Sequence, residues 1–259
     1  MNWYRISAMI GKYLKIGFGS FNQIVNLAFW PMLDIVLWGF NSVWAQQGSN
    51  MPLSLIVLTS VTLWNCVGRG SIDFSYGVID EIWSQNLVNL FASPLTLLEW
   101  IVALAISTFV KIIMVLTICC ALSYGIYGVN IMQFGLPLIP FIISLSLAGV
   151  TLGVVTVGLL IYWGRRIDML IWTMQWLFAP LCGVFFSIDV LPKALQAVSH
   201  YIPMTFIFES VRKLVVHEAL SYSALAYNIL FTFLCLIGAL VFFKYMFEKS
   251  RSKGLTRLI

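Results

Sequence analysis

The sequence predicts an all-α integral membrane protein with six transmembrane helices, and three observations lead to this prediction. Hydrophobic residues make up 61% of the 259 residues and charged residues only 10%, whereas soluble domains average about 25% charged residues. The mean hydropathy is +0.95. Six stretches are mostly apolar over the roughly 20 residues that a membrane-crossing helix needs. Since so few charges could not cover the surface of a soluble protein, the chain is suited to a bilayer.

The six predicted spans follow one another without a linker or a detectable repeat, so we expect a single transmembrane domain over residues 1–259. Their approximate bounds are 22–44, 52–73, 96–127, 134–163, 167–187 and 223–246. The chain before the first span lacks both a continuous apolar core and a small-residue cleavage site. We therefore expect no cleavable signal peptide and an uncleaved first span.

Residues 1–20, before the first span, have the pattern of an amphipathic helix. At 100° per residue, Arg5, Lys12 and Lys15 fall within an arc of roughly 80°. The residues that cluster on the opposite side are Trp3, Ile6, Ile10, Tyr13 and Leu14. Such a helix suits the membrane surface, with its cations toward the lipid headgroups. The alternative is a frayed tail.

The distribution of Lys and Arg predicts the orientation of the spans. If the N-terminus is cytoplasmic, the outer segments hold only Lys193, Arg212 and Lys213. The inner segments then hold Arg5, Lys12, Lys15, Arg69, Arg165, Arg166, Lys244, Lys249, Arg251, Lys253 and Arg257. Because cytoplasmic loops are enriched in these cations, both termini are expected on the cytoplasmic side.

The stretch between spans five and six, residues 188–216, contains two short helical segments. Pro192 opens "PKALQAVSHY", and Pro203 precedes "MTFIFESVRKLV". Each segment is too short to span a bilayer, and together they suit a re-entrant hairpin in the outer leaflet. Glu209 and Arg212 have the i,i+3 spacing of a helical ion pair. The alternative is an exposed surface loop, but the aromatic and aliphatic residues of this stretch argue against a loop.

Nothing in the sequence indicates catalysis, a metal centre or nucleic-acid binding. A GxxxxGK[ST] phosphate loop and a Gly-rich dinucleotide motif are both missing. His200, His217 and the five cysteines have no metal-ligand spacing. The net charge of +5 collects between apolar runs, where it is better explained by topology than by nucleic acid. We therefore expect neither an enzyme active site nor a cofactor in this chain.

Charged and aromatic residues inside the spans are candidates for a substrate path. Asp34 and Lys111 each fall near the middle of a span, where charges normally face protein, water or each other. They are expected to pair or to line a path. The alternative is that Lys111 snorkels and Asp34 hydrogen-bonds nearby backbone. Trp172 and Trp176 could line an apolar route or belong to an interfacial belt.

The loop between spans two and three, residues 78–95, has the features of a docking helix. Asp80 and Glu81 are expected to open a short helix without basic residues, and Ser93-Pro94 to end it. Its apolar stripe comprises Trp83, Leu87, Leu90 and Phe91. Such a helix can dock into a groove on a partner. The alternative is that it lies on the membrane or only turns the chain.

Together these features resemble the ABC-2 type permeases, the membrane subunits of type V ABC exporters. The resemblance covers nearly the whole chain and is strongest over residues 81–94 and 192–212. "LFASPLT" is similar to the drug, lipid or nodulation-factor branch, whereas "DEIWSQN" stands where many members have a basic-acidic-Gly-Thr sequence.

The resemblance implies roles for individual residues. Residues 78–95 correspond to the coupling helix that contacts the ATPase, and 188–216 to outer re-entrant helices. The residues that the family pattern assigns to coupling are Glu81, Asn89, Leu90, Ser93 and Pro94. Those that match its outer pattern are Pro192, Pro203 and Arg212.

The resemblance also implies the assembly and its location. Two permeases, expected to be a homodimer, would face each other in a bacterial inner membrane with two ATPase subunits bound below. ATP and Mg would be held by the ATPase, which would account for the missing phosphate loop. The cargo would be an amphipathic or hydrophobic drug, lipid or glycolipid. The alternatives are a gradient-driven secondary transporter and a non-transporting membrane scaffold.

Overall fold

The computed structural model describes residues 2–47 and 52–252, and every regular element in these two ranges is a helix. Ten α-helices follow in chain order: α1 (Trp3–Phe18), α2 (Phe21–Gln46), α3 (Leu53–Trp83), α4 (Leu87–Ala92), α5 (Leu97–Tyr127), α6 (Leu138–Trp163), α7 (Leu170–Leu181), α8 (Lys193–His200), α9 (Pro203–Val215) and α10 (Tyr222–Ser252). The tail cations Lys253 and Arg257, part of the orientation prediction, lie outside the described residues.

Five of the described helices are long and apolar enough to cross a bilayer: α2, α3, α5, α6 and α10. The prediction of an all-α, multi-pass membrane protein is therefore confirmed. The bounds of α2 and α5 lie within a few residues of the predicted ones. Helix α10 begins as predicted but continues past the expected end near 246 to Ser252. The second span was predicted to end near residue 73, but α3 continues to Trp83. Asp80 and Glu81 therefore close a long helix, and the prediction that they open a short one is wrong.

The predicted fifth span, 167–187, is only partly helical. Its helix, α7, has 12 residues, which at about 1.5 Å per residue extends about 18 Å, less than the roughly 30 Å of hydrocarbon in a bilayer. A sixth crossing therefore stays a prediction. The two short helices expected between spans five and six are present as α8 and α9, and Pro203 begins α9 as expected of a first-turn proline.

Helix α3 forms the centre of the bundle. In its most apolar window 89% of the residues are buried, against 22% in the corresponding windows of α2 and α10. Glycines let α6 approach α3 closely: a Cβ on Gly149 would lie 2.6 Å from the carbonyl oxygen of Val67, and one on Gly70 would lie 2.9 Å from the Cα of Gly149. Small residues at helix crossings are a common means of packing helices in membranes.

Helix α1 is the predicted amphipathic helix, and it is packed against the bundle. The side chain of Asn2 accepts a hydrogen bond from the amide of Tyr4 and caps its start. Ile6 and Tyr13 are buried, whereas Trp3 and Tyr4 are exposed. The expectation that the cations of this helix face lipid headgroups stays a prediction, and two of these cations, Arg5 and Lys12, also contact acidic residues of the protein.

Arg212 on α9 ties the outer helices to the end of α7. Its Nη2 donates to the carbonyl oxygen of Gly183 and, at 2.8 Å, to that of Phe186. Among the described ion pairs none joins Arg212 to Glu209, so the expected i,i+3 pair is not observed. Burial lowers the pKa of Arg212 from its usual value, although the charges of Glu209 and Asp189 oppose this effect. The guanidinium thus serves to bind the backbone where α7 ends.

Candidate functional site

Glu81 is the centre of a polar junction between α1, α3 and the start of α4. Its buried carboxylate accepts hydrogen bonds from Lys12 Nζ, from the hydroxyl of Tyr13 at 2.9 Å and from Asn86 Nδ2 at 2.6 Å. Three donors, of which Lys12 is also a cation, compensate the cost of burying this charge. The junction therefore fixes α1 and the segment 84–92 to the end of the central helix.

Tyr13 extends this junction to α5. Its hydroxyl accepts a hydrogen bond of 2.6 Å from Trp100 Nε1 while it donates to Glu81. Burial, together with the charge of Glu81, raises the pKa of Tyr13 above its usual value. The phenol consequently stays protonated and keeps its donor role. One side chain thus connects three helices, because α1 contributes Tyr13, α3 contributes Glu81 and α5 contributes Trp100.

A second connection joins α1 to the start of α5. Glu99 accepts from the backbone amides of Asn2 at 2.6 Å and Thr96 at 3.0 Å, and Thr96 accepts from the Glu99 amide, which completes a capping box. Arg5 lies 3.7 Å from the Glu99 carboxylate and donates to the carbonyl oxygen of Pro94. The segment α4 is therefore held at both ends by residues of α1.

The predicted coupling residues divide into buried and exposed sets. Glu81 and Leu90 are buried. The exposed members are Asp80, Asn89, Ser93 and Pro94. The side chain of Leu87 lies outside the described part of the chain. Leu90 packs into the core with residues of α3 and α5, so this member of the predicted apolar stripe is not available to a partner. The side chain of Phe91, another member, also lies outside the described part of the chain.

Trp83 is half-buried and is covered by a cation. The guanidinium carbon of Arg165 lies 4.6 Å from the centroid of its ring, within the range of a cation–π contact. Arg165 follows the end of α6 in a 3₁₀ turn (Gly164–Ile167). Trp83 therefore links the end of α3 to the turn between α6 and α7.

A polar cavity of about 350 Å³ lies among α1, α2, α3 and α5. Its charged lining residues are Arg69, Asp73, Asp80, Glu81 and Lys111. Arg69 lies 3.9 Å from Asp73, its i+4 neighbour, and donates to the carbonyl oxygen of Asn26 at 3.0 Å. Lys111 is the cation whose charge acts on Asp80. Among the described residues no ion pair joins Lys111 to Asp34, so the predicted pair is not observed.

Asp34 instead lines a separate cavity of about 140 Å³, which we call the tryptophan pocket. The pocket is lined by Trp30, Pro31, Asp34, Trp64, Asn65, Gly68, Arg69, Ile72, Trp172, Gln175 and Trp176. Three of the four residues predicted to line a substrate path, Asp34, Trp172 and Trp176, thus come together here. Lys111 belongs to the polar cavity. Arg69 lines both spaces.

Sequence reasoning missed the partners of these residues more than the residues themselves. Arg69 was counted among the cations of the inner segments, but its side chain is buried within α3. Its i,i+4 spacing to Asp73 in a segment that can continue as a helix was the available signal. The contact between Lys12 and Glu81 had no such signal, because the two residues are 69 positions apart.

Comparison with known proteins adds no family assignment. No protein-family model matches the chain, and no curated protein matches it either. The resemblance to the ABC-2 permeases therefore rests on the residue patterns alone. Within residues 2–47 and 52–252, no three His, Cys, Asp or Glu side chains gather closely enough to hold a metal ion.

Proposed function

We propose that this chain is the membrane permease subunit of an ATP-driven ABC-2 type exporter. It would move an amphipathic or hydrophobic substrate, such as a drug, lipid or glycolipid, out of the cytoplasm or between leaflets of a bacterial inner membrane. The chain itself would catalyse no reaction. ATP and Mg would be bound by two copies of a separate ATPase subunit, and a second copy of the permease would complete the assembly.

The observation that carries this proposal is the anchored position of α4. The helix lies between the long helices α3 and α5 and presents Asn89 and Ser93 outward, while Glu81, Tyr13 and Arg5 tie its surroundings to α1. A partner that pushes on α4 would therefore move the ends of α3, α5 and α1 together. Such rigid transmission is what an ATPase-driven membrane subunit needs.

Two further features agree with the proposed assembly. Helices α2 and α10 keep large apolar side chains exposed, among them Phe40 at 62% and Val241 at 65%. Lipid and a second permease copy are the partners that such faces suit. We also propose that α7 and the segment after it make the sixth crossing, with α8 and α9 as a re-entrant pair on the outer side. Both termini would then be cytoplasmic, as the Lys and Arg distribution predicts.

The proposal is tested by purifying the full chain from native membranes in mild detergent and identifying bound proteins by mass spectrometry. Recovery of an ATPase subunit with the wild type, and its loss with Asn89→Lys, is the expected result. Gln133→Lys is the matched control, because it makes the same amide-to-amine change at an exposed position that follows the C-terminal end of α5, whereas α4 precedes its N-terminal end. Recovery of the permease alone under several gentle conditions would favour a gradient-driven transporter or a scaffold.

A further inference from the structure

Asp34 is a carboxylate within the span α2, where the charge of Arg69 acts on it without forming an ion pair. It lies near the middle of α2, and in residues 2–47 and 52–252 it forms no ion pair or hydrogen bond. An unpaired charge at such a depth is costly and normally faces a pathway, water or an opposite charge. Since Asp34 lines the tryptophan pocket, the space in front of it is where an opposite charge can be placed.

The walls of this pocket are suited to a cation. Trp30, Trp64, Trp172 and Trp176 all line it, and the rings of Trp30 and Trp172 lie 6.3 Å apart at 58° to each other. Trp172 Nε1 donates to the hydroxyl of Tyr76 at 2.8 Å. This bond orients the indole. Tryptophan faces are the best aromatic partners of ammonium groups, and cages of aromatic rings recognise quaternary ammonium ligands.

The two charged residues that line the pocket, Asp34 and Arg69, have different surroundings. The guanidinium of Arg69 donates to the carbonyl oxygen of Asn26 and lies 3.9 Å from Asp73, a residue of the polar cavity. The charge of Arg69 is thus compensated outside the pocket, whereas Asp34 forms no ion pair among the described residues. Asp34 is therefore the charge that the pocket offers to a ligand.

The size and exposure of the pocket indicate which part of a ligand it holds. Its volume is about 140 Å³, below the roughly 300–1,000 Å³ of sites that enclose a drug-sized molecule. Trp30 and Trp176 are 48% and 50% exposed, so their outer parts can support an apolar group that extends out of the cavity. An ammonium head with an apolar body matches this arrangement.

We propose that the tryptophan pocket binds the ammonium head of an amphipathic organic cation, with Asp34 as its counter-ion. This inference rests on the proposed function only for the further step that the bound cation is the exported cargo. The group that binds is an alkylammonium, which can belong to a free amine or to the choline headgroup of a lipid.

The test measures binding of benzyltrimethylammonium to the full chain in dodecyl maltoside by isothermal titration calorimetry. Benzylsulfonate is the matched anion with the same ring. We expect saturable binding of the cation and none of the anion, and a loss of affinity of about tenfold or more in Asp34→Asn, because the counter-ion is removed. Glu218→Gln removes an exposed carboxylate far from α2 in sequence and should bind as the wild type does.

Two further variants keep the test decisive if Asp34→Asn does not fold. Asp34→Glu retains the charge and should retain charge-selective binding, and Trp30→Leu should weaken binding by about threefold to thirtyfold as one ring face is lost. Equal affinity for the cation in the wild type, Asp34→Asn and Trp30→Leu would overturn the proposal, as would preferential binding of benzylsulfonate.

The source of the ammonium group is distinguished by competition. Dihexanoyl phosphatidylcholine should displace the probe if a choline headgroup is the natural ligand, whereas dihexanoyl phosphatidylglycerol should not. Displacement by neither lipid, with probe binding intact, assigns the site to free amines. Because neither ATP nor a partner is present, a negative result would remove the cation site alone, and the ATPase-subunit proposal would still be judged by co-purification.

Discussion

Lys12 on α1 and Glu81 at the end of α3 form an ion pair that joins two helices across 69 positions of sequence. The exposed fractions of their side chains are 34% and 5%, so the carboxylate is the buried member. The pair holds an amphipathic helix against the bundle at the junction from which α4 continues. Several predictions about this junction and about the packing of the bundle can be tested on the isolated chain.

Replacing Lys12 with Ala should loosen α1. The variant leaves Glu81 with neutral donors only, at an expected cost of about 1 kcal/mol because Lys12 is partly exposed to screening. Hydrogen–deuterium exchange in α1 should become faster by about fivefold. Lys15→Ala is the control, since Lys15 is an exposed cation on the same helix. Equal exchange in the two variants would show that the ion pair does not hold α1.

Tyr13→Phe should destabilise the protein by removing a single hydroxyl. The change takes away an acceptor of Trp100 Nε1 and one of the three donors to Glu81, and the loss of these two buried hydrogen bonds costs about 1–3 kcal/mol. The melting temperature in detergent should fall. Tyr4→Phe, at a residue 86% exposed, should leave it unchanged. A fall of the same size in both variants would contradict the connection through Tyr13.

Gly149→Ala should disrupt the crossing of α3 and α6. The new methyl group would meet the backbone oxygens of Val67 and Cys66 at 2.6 and 2.9 Å, and backbone cannot move aside as a side chain can. Overpacking of this kind costs about 1–3 kcal/mol. Gly125→Ala is the matched control, because a Cβ there meets nothing within 4 Å and alanine favours a helix. We expect the melting temperature of Gly149→Ala to fall below that of the wild type and that of Gly125→Ala not to fall.

Arg212→Lys should weaken the attachment of α9 to the end of α7. Lysine keeps the charge but lacks the planar fork with which arginine reaches two acceptors, here the carbonyl oxygens of Gly183 and Phe186. The expected loss is about 1–3 kcal/mol, seen as earlier unfolding and faster proteolysis of the 182–192 segment. Lys213→Ala removes the exposed neighbouring cation. If it were equally damaging, the backbone contacts of Arg212 would not be the cause.

The sequence predicted the helices well because hydropathy and length determine them directly. The bounds of α5 followed from an apolar run that begins after Thr96 and ends at Gly128, and both of these residues cap the helix. The continuation of α3 to Trp83 was missed because Asp73, Asp80 and Glu81 end the apolar run. Their charges are accommodated by a polar cavity inside the bundle, which no hydropathy pattern reveals.

The candidate sites were predictable as residues but not as contacts. Depth alone singled out Asp34 and Lys111, and the similar depth of the two residues suggested a pair. Their separation into two cavities depends on which way each side chain leaves its helix, and on Arg69, which lies between the two spaces. Glu81 was predicted for coupling, yet it is buried and serves the junction that positions α4.

Coupling of α4 to an ATPase subunit can be tested by photo-crosslinking from position 89 in native membranes. A photoreactive amino acid replaces Asn89 on the exposed face of α4, and a second variant carries it at Gln133. We expect a crosslink to a nucleotide-binding ATPase subunit from position 89 and none from position 133. Two results would contradict the assignment of this chain as an ATPase-coupled permease. One is a crosslink to the ATPase from position 133 alone. The other is no crosslink to the ATPase from either position, with only lipid attached to α4.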